Sequence, residues 1–300
     1  MDCDIAGTQH IRLMGVALCV GGHRLKVEGE CAERFLRFYK GAQPFIVDCS
    51  DADWTVRYGI AFEPATDGET LNEFTFSEIN ADCRFRRCGD DYFYEMYDSA
   101  SGSRLIAMRH RFGSDIVEAT ECSNESALRF SLWFALSMLS AASRLTFVHS
   151  SVIVHQGRAV LFLGESGTGK STHTRLWLGR IPDAHLLNDD SPVLTIEGGR
   201  PYVYGSPWSG KTPCYVAQRF PLAAIVRLSQ AKENIMNRLS IPGALAALQP
   251  SLPPALMQDE RYADLLIDII SDTIAVAPAY HLACLPDEEA ARLSCRTIFG

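Results

Sequence analysis

The chain has 300 residues, is 47% hydrophobic and 21% charged, and carries a formal net charge of −8, which is the make-up of an ordinary globular protein with one large or two modest domains. No basic run is present to suit nucleic acid or an anionic membrane surface, and no apolar stretch reaches membrane-spanning length. The acidic start Met1-Asp2-Cys3-Asp4 lacks the basic-then-apolar order of a signal peptide, and the ten cysteines are scattered without a paired zinc-type spacing, so a cytoplasmic location is expected.

Residues 1–120 are aromatic and β-leaning. Gly15 to Val20, Phe45 to Val47, Trp54 to Phe62 and Tyr92 to Met96 are expected as strands, separated by turn clusters such as Asp67-Gly68 and Gly89-Asp90-Asp91. Cys31 to Tyr39 has a helical apolar face. The charges around Glu95, Asp98 and the arginines at 84, 86 and 87 read as solvated surface. This half is expected as a β-rich α+β domain of unassigned role.

Asn124 is placed to cap a helix through Ala127 to Ala142 whose apolar residues wrap most of its circumference, so a core helix is expected at the boundary near residue 120. Residues 121–300 then form the second domain. Phe147 to Val154 alternates as a strand, and His155-Gln156-Gly157-Arg158 turns it into the apolar run Ala159 to Leu163, making an antiparallel hairpin.

That run delivers Gly164-Glu165-Ser166-Gly167-Thr168-Gly169-Lys170-Ser171, which fits G-x-x-x-x-G-K-[ST] without mismatch and is followed by a helical stretch. Glycines let the backbone approach a polyphosphate so that successive N–H groups meet its oxygens. Lys170 would reach the β- and γ-phosphates of a bound nucleotide. Ser171, with Thr172 as a possible partner, would ligate Mg²⁺.

Leu186 to Asp190 reads as a short strand ending in two carboxylates, nineteen residues beyond Lys170. Asp189 is expected to take the proton of an acceptor hydroxyl and Asp190 to orient the metal with Ser171, with the reverse order and a turn-capping role both open. A second hairpin, Val193 to Ile196 with Tyr202 to Tyr204, presents the loop Gly205-Ser206-Pro207-Trp208-Ser209-Gly210-Lys211, in which Lys211 is a candidate grip on the transferred phosphate. Leu222 to Leu228 is a further buried strand. Helices at about 241–248 and 259–273, a strand at 279–283 and a closing helix after Pro286 complete the chain, with Gln249 to Pro254 as a linker-like loop.

The order of His149, a hairpin, Gly164 to Ser171, a short helix and Asp189-Asp190 resembles the kinase domain of bacterial HPr kinase/phosphorylase. The Ser166 to Ser171 wording also resembles ATP-dependent phosphoenolpyruvate carboxykinase. The resemblance covers roughly residues 145–230. It implies an α/β fold with a mixed-sheet P-loop kinase domain, ATP and Mg²⁺ as cofactors, His149 near the carboxylates, and a possible homo-oligomer. The expected activity is phosphoryl transfer to a hydroxyl, serine-like, on a protein, peptide or small metabolite. The alternative is a nucleotide-binding regulatory protein without a dedicated acceptor, and a carboxykinase-type lyase is less favoured by length. HPr kinase also has an arginine- and glycine-rich stretch after the aspartates that this chain lacks, so the acceptor is unassigned.

Overall fold

A computed structural model describes residues 15–165, 167–210 and 212–300. Ser166, Lys211 and the N-terminal acidic stretch lie outside the described residues. The chain is mixed α/β, built on two mixed sheets.

The first sheet comprises β1 (Val16–Val20), β2 (His23–Glu28), β3 (Ile46–Val47), β4 (Trp54–Arg57), β5 (Glu69–Phe76), β6 (Ala81–Cys88), β7 (Asp91–Asp98), β8 (Arg104–Arg111) and β9 (Ile116–Ala119). Its order is β3-β1-β2-β4-β9-β8-β7-β6-β5, with β2–β4 and β4–β9 parallel and the other pairs antiparallel. Helix α1 (Glu30–Phe38) follows β2. The strand expected over Trp54 to Phe62 ends at Arg57, because Gly59 turns the chain at φ 85° and Phe62 lies beyond it. Arg86 and Glu95 are not solvated surface. They form a pair at 2.7 Å in the sheet with side chains 10% and 3% exposed, as diagonal neighbours on β6 and β7, and the Arg86 guanidinium also donates to the Ala65 carbonyl.

Helix α2 (Glu125–Ala142) follows, with the Asn124 side chain accepting from the Ala127 N–H at 2.9 Å. It packs on β4, β8 and β9 of the first sheet and on the strand Leu145–Phe147 and the helix Glu260–Val276 of the second half, so one hydrophobic core runs through both halves.

The second half contains β10 (Leu145–Phe147), β11 (Ser150–His155), β12 (Arg158–Leu163), α3 (Lys170–Arg180), β13 (His185–Asp190), β14 (Val193–Glu197) and β15 (Arg200–Tyr204). It continues with β16 (Arg219–Gln230), β17 (Ile235–Arg238), α4 (Ile241–Leu248), α5 (Glu260–Val276), β18 (Ala279–Cys284) and α6 (Glu288–Phe299). The strand order is β10-β14-β15-β16-β12-β11-β13, with β18 on β16 and β17 on β18. β12 has β11 antiparallel on one side and β16 parallel on the other. The β11–β12 turn places Gln156 and Gly157 at φ 49° and 68°, the pair of positive angles that a two-residue hairpin requires.

Phe147 to Val154 is not one strand. β10 pairs with β14 whereas β11 pairs with β12 and β13, so the chain changes neighbours at Val148 and His149, which lie between the strands. Gln249 to Pro254 is likewise not a linker: it contains a 3-10 turn over Gln249–Ser251, and Ser251 and Leu252 are buried.

Among the described residues no helix is long and apolar enough to cross a membrane.

Candidate active site

β12 is buried along Ala159 to Leu163 and ends at Gly164. Gly167 and Gly169 take φ 84° and 103°, and α3 starts at Lys170 with Gly169 as a cap that has no side chain to fill the first N–H groups. Thr168 closes the loop on itself, its Oγ1 donating to the Glu165 carbonyl at 2.8 Å and its N–H to the same oxygen at 3.2 Å. A Cβ on Gly164 would stand 2.4 Å from Thr168 Oγ1, so this position admits only glycine unless the loop opens. Around Gly167 and Gly169 a Cβ would meet nothing within 4 Å, so the backbone there faces open space.

Lys170 folds back over this loop. Its ammonium donates to the Gly164 and Glu165 carbonyls at 2.7 and 3.3 Å and lies 3.1 Å from His149 Nε2. With the ammonium as donor, Nε2 is the acceptor and Nδ1 carries the proton. Nδ1 is 3.2 Å from Asp190 Oδ1, so a hydrogen-bonded line runs Lys170, His149, Asp190. Burial pushes the Lys170 ammonium below its ordinary value, opposed by Asp190 and Asp189 and assisted by Arg227. His149 is held by its backbone, whose N–H donates to the Ser251 carbonyl at 2.7 Å.

The two aspartates diverge because neighbouring strand residues face opposite ways. Asp189 is buried, its Oδ1 accepts from Ser151 Oγ on the facing strand, and its carbonyl accepts from the Gly210 N–H at 2.6 Å. Asp190 is half-buried, meets His149 and also accepts from Ser191 Oγ at 3.2 Å. Ser171 is half-buried in the first turn of α3, and Thr172, about 100° further round the helix, is exposed.

Buried Asn188 binds the following loop to this strand end. Its Nδ2 donates to the Trp208 carbonyl at 3.0 Å and its Oδ1 accepts from the Ser191 N–H at 2.9 Å. Trp208 is buried, donates through Nε1 to the Arg129 carbonyl at 3.1 Å and stands edge-on to Phe147 at 5.5 Å. Among the described residues no group of three or more His, Cys, Asp or Glu is placed to hold a metal. A carboxylate and a hydroxyl, Asp189 or Asp190 with Ser171, match an ion that draws its remaining ligands from water and phosphate.

Two clefts meet this constellation. The first, of about 660 Å³, is walled by Glu165, Gly167 and Thr168 of the loop and by Arg227, Gln230 and His281. Leu228, Leu239 and Ala247 add an apolar side. Its volume suits a small-molecule ligand, and a cradle of open glycines beside a basic residue suits a polyphosphate. The second, of about 550 Å³, has His149 and Asp190 on its wall. Its other walls come from β5 and the turn after it, Tyr94, α2, Phe147, the Trp208 loop and the segment 250–255, so it lies between the two halves.

The loop, Lys170, His149 and Asp190 are thus brought together, while Asp189 and Thr172 stand aside from the second cleft. Asn188, Ser151, Arg227, Gln230 and His281 escaped the sequence reading. Asn188 adjoins the aspartates and offered a signal by position; the others join the site through strand pairing, which leaves no local motif.

No protein-family model matches the chain, and no curated protein matches it. Among solved structures it is similar to the Hpr(Ser) kinase/phosphatase from Coxiella burnetii, with 14% identity and a TM-score of 0.30, over 51% of this chain and 99% of that one. At that TM-score the likeness assigns no role to any residue.

Proposed function

We propose that the protein is an ATP- and Mg²⁺-dependent phosphotransferase that moves the γ-phosphate to a hydroxyl. The observation that carries the reading is the hydrogen-bonded line from Lys170 through His149 to Asp190, which links the loop bordering the first cleft to a carboxylate on the wall of the second. In this reading the nucleotide occupies the first cleft and the acceptor the second.

The loop N–H groups from Gly164 to Ser171 and the Lys170 ammonium bind and orient the phosphates. Bound Mg²⁺ supplies charge neutralisation on the transferring group, and Ser171 with Asp189 are the residues that would hold it. Asp190 is the base: it takes the proton as the acceptor oxygen bonds to the γ-phosphorus, the bridge to the β-phosphate breaks, and its electron pair departs on ADP. This reverses the roles expected from sequence, because Asp190 reaches the second cleft and Asp189 is buried under Ser151. His149 keeps the Asp190 carboxylate aimed and connects it to Lys170.

The test is ADP and phospho-acceptor formation with ATP and Mg²⁺, in the wild type and in Lys170→Ala, Asp189→Asn and Asp190→Asn. Asp190→Asn should lower transfer roughly 10²- to 10⁴-fold with nucleotide binding retained, Asp189→Asn should raise the Mg²⁺ concentration needed, and Lys170→Ala should lose nucleotide. Transfer by Asp190→Asn at the wild-type rate would sink the assignment. Nucleotide binding with no Mg²⁺-dependent turnover would favour a binding protein over a transferase.

A further inference from the structure

Resting on the phosphotransferase reading, we infer that the acceptor is an extended peptide that adds to the free edge of β5 and delivers a serine or threonine hydroxyl to Asp190, with an aromatic or bulky apolar side chain seated in the second cleft. Four observations converge on this.

The cleft beside Asp190 is aromatic. Phe134, Phe147 and Trp208, all buried, form its floor, and half-buried Phe74, Phe76 and Trp133 stand around it. A purely polar acceptor would leave that surface uncovered, whereas an aromatic or branched side chain next to the hydroxyl covers it.

β5 is the last strand of the first sheet, eight residues long, and pairs only with β6. Among the described residues its only backbone hydrogen bond outside the pairing with β6 is at its last residue, where the Phe76 carbonyl accepts from the Ile79 N–H of the following turn at 3.2 Å. Two of the devices that usually blunt such an edge are missing from its C-terminal part: it contains no proline, and the acidic residues Glu69 and Glu73 are paired with Arg87 and Arg84 of β6. The register irregularity falls at Thr70 to Asn72, which leaves Asn72 to Phe76 regular beside the cleft.

Along that regular part Phe74 and Phe76 are half-buried and line the cleft, with Thr75 exposed between them and Glu73 exposed before them. An added strand has the same two-residue period, so its alternate side chains fall on the cleft side together. A hydroxyl residue and an apolar residue two positions apart would thus both enter it.

Finally, two of the cleft's residues carry buried donors that have no partner among the described residues: Trp133 Nε1 and Arg129 Nε. Buried polar atoms are nearly always satisfied, and unsatisfied ones mark places where another group completes the set. Both atoms are sealed from solvent, so a peptide carbonyl or side-chain oxygen completes them only with a shift of the Trp133 or Arg129 side chain toward the cleft. The main-chain bonds along β5 are what separate a peptide from a free aromatic alcohol of similar bulk.

The experiment uses the full chain and two pools of labelled seven-residue peptides, each with serine at the centre. One pool carries Phe, Trp, Leu or Ile two positions to either side and the other Asn or Gln there. Binding is read by fluorescence polarisation without nucleotide, and phosphate incorporation from ATP and Mg²⁺ by mass spectrometry. The apolar pool should bind and be phosphorylated at least tenfold better than the polar pool. N-methylation of alternate amides in its best member should cost at least tenfold, as should Phe76→Ser in the protein. Equal phosphorylation of both pools would overturn the cleft assignment while the transferase reading stood. Phosphorylation of 2-phenylethanol but of no peptide, or indifference to N-methylation, would overturn strand addition. Tight binding of the apolar pool with no phosphate incorporation would overturn the transferase reading and leave a peptide-binding cleft.

Discussion

Acidification should weaken the protein through one histidine. His173 lies on α3, one turn beyond the lysine of the loop, and is 3% exposed. Its Nε2 accepts from Trp177 Nε1 at 3.2 Å and lies 3.2 Å from Ser294 Oγ, which ties α3 to α6. A proton on Nε2 would face the indole N–H, and burial lowers the ring from an ordinary 6.5 to about 4. The unfolded chain therefore takes up this proton first. The stability conferred by the neutral ring is complete above about pH 6.5, falls as the pH drops from there, and is fully withdrawn below about pH 4. The whole span amounts to about 3 kcal/mol, of which about 2 kcal/mol is already lost at pH 5.

Urea unfolding at pH 7 and pH 5 of the wild type and His173→Phe reads this difference, because phenylalanine fills the slot without titrating and Trp177 Nε1 retains Ser294 Oγ at 3.0 Å. Other groups titrate in both proteins, so the difference between them isolates His173. The wild type should lose about 2 kcal/mol more than the variant. Losses that agree within about 0.5 kcal/mol would show that the ring is not held neutral in the fold and refute the reasoning.

Three further outcomes are expected. Gly164→Ala should weaken binding of ADP and Mg²⁺ by about tenfold or more in calorimetric titration, and Thr168→Ala in the same chain should restore part of it, because the added methyl collides with Thr168 Oγ1. Trp208→Ala should cost about 3–5 kcal/mol in denaturant unfolding, since it empties the floor of the aromatic cleft and removes the bond to the Arg129 carbonyl; a loss under about 1 kcal/mol would contradict that packing. Arg87→Met removes the cation 2.6 Å from the fully buried Asp259 carboxylate and should cost about 3 kcal/mol, with Asp259→Asn in the same chain recovering part of it in a double-mutant cycle.

The sequence made the glycine-rich loop region legible because its signals are local. Gln156-Gly157 reports a hairpin, Gly164 to Ser171 a strand-to-helix turn, and Asn124 a helix start; each depends on residues within one or two turns of chain. Asp189 and Asp190 were legible as a pair but not in their surroundings, which differ by what faces them: Ser151 from β11 in one case and His149 from the switch between β10 and β11 in the other. His149 was expected inside a strand, since alternation in Phe147 to Val154 looks the same whether or not the chain changes partners midway. The second cleft was invisible for a related reason. Its walls come from Phe74, Trp133 and Trp208, far apart in sequence, and each alone reads as an ordinary core aromatic.

Helix α2 also bears on how the protein is made. It leaves the ribosome after the whole first sheet and before any strand of the second, with buried Leu132, Leu136, Leu139 and other apolar residues distributed around it. Its contacts with β4, β8 and β9 are available at once, but those with β10 and α5 wait for up to 134 more residues, from Ala142 to Val276. At ordinary synthesis rates of about 5–20 residues per second the interval lasts roughly 7–27 seconds. For that time the part of the helix that α5 covers stays open on the nascent chain, so the emerging first half exposes apolar surface that favours aggregation if synthesis is slow.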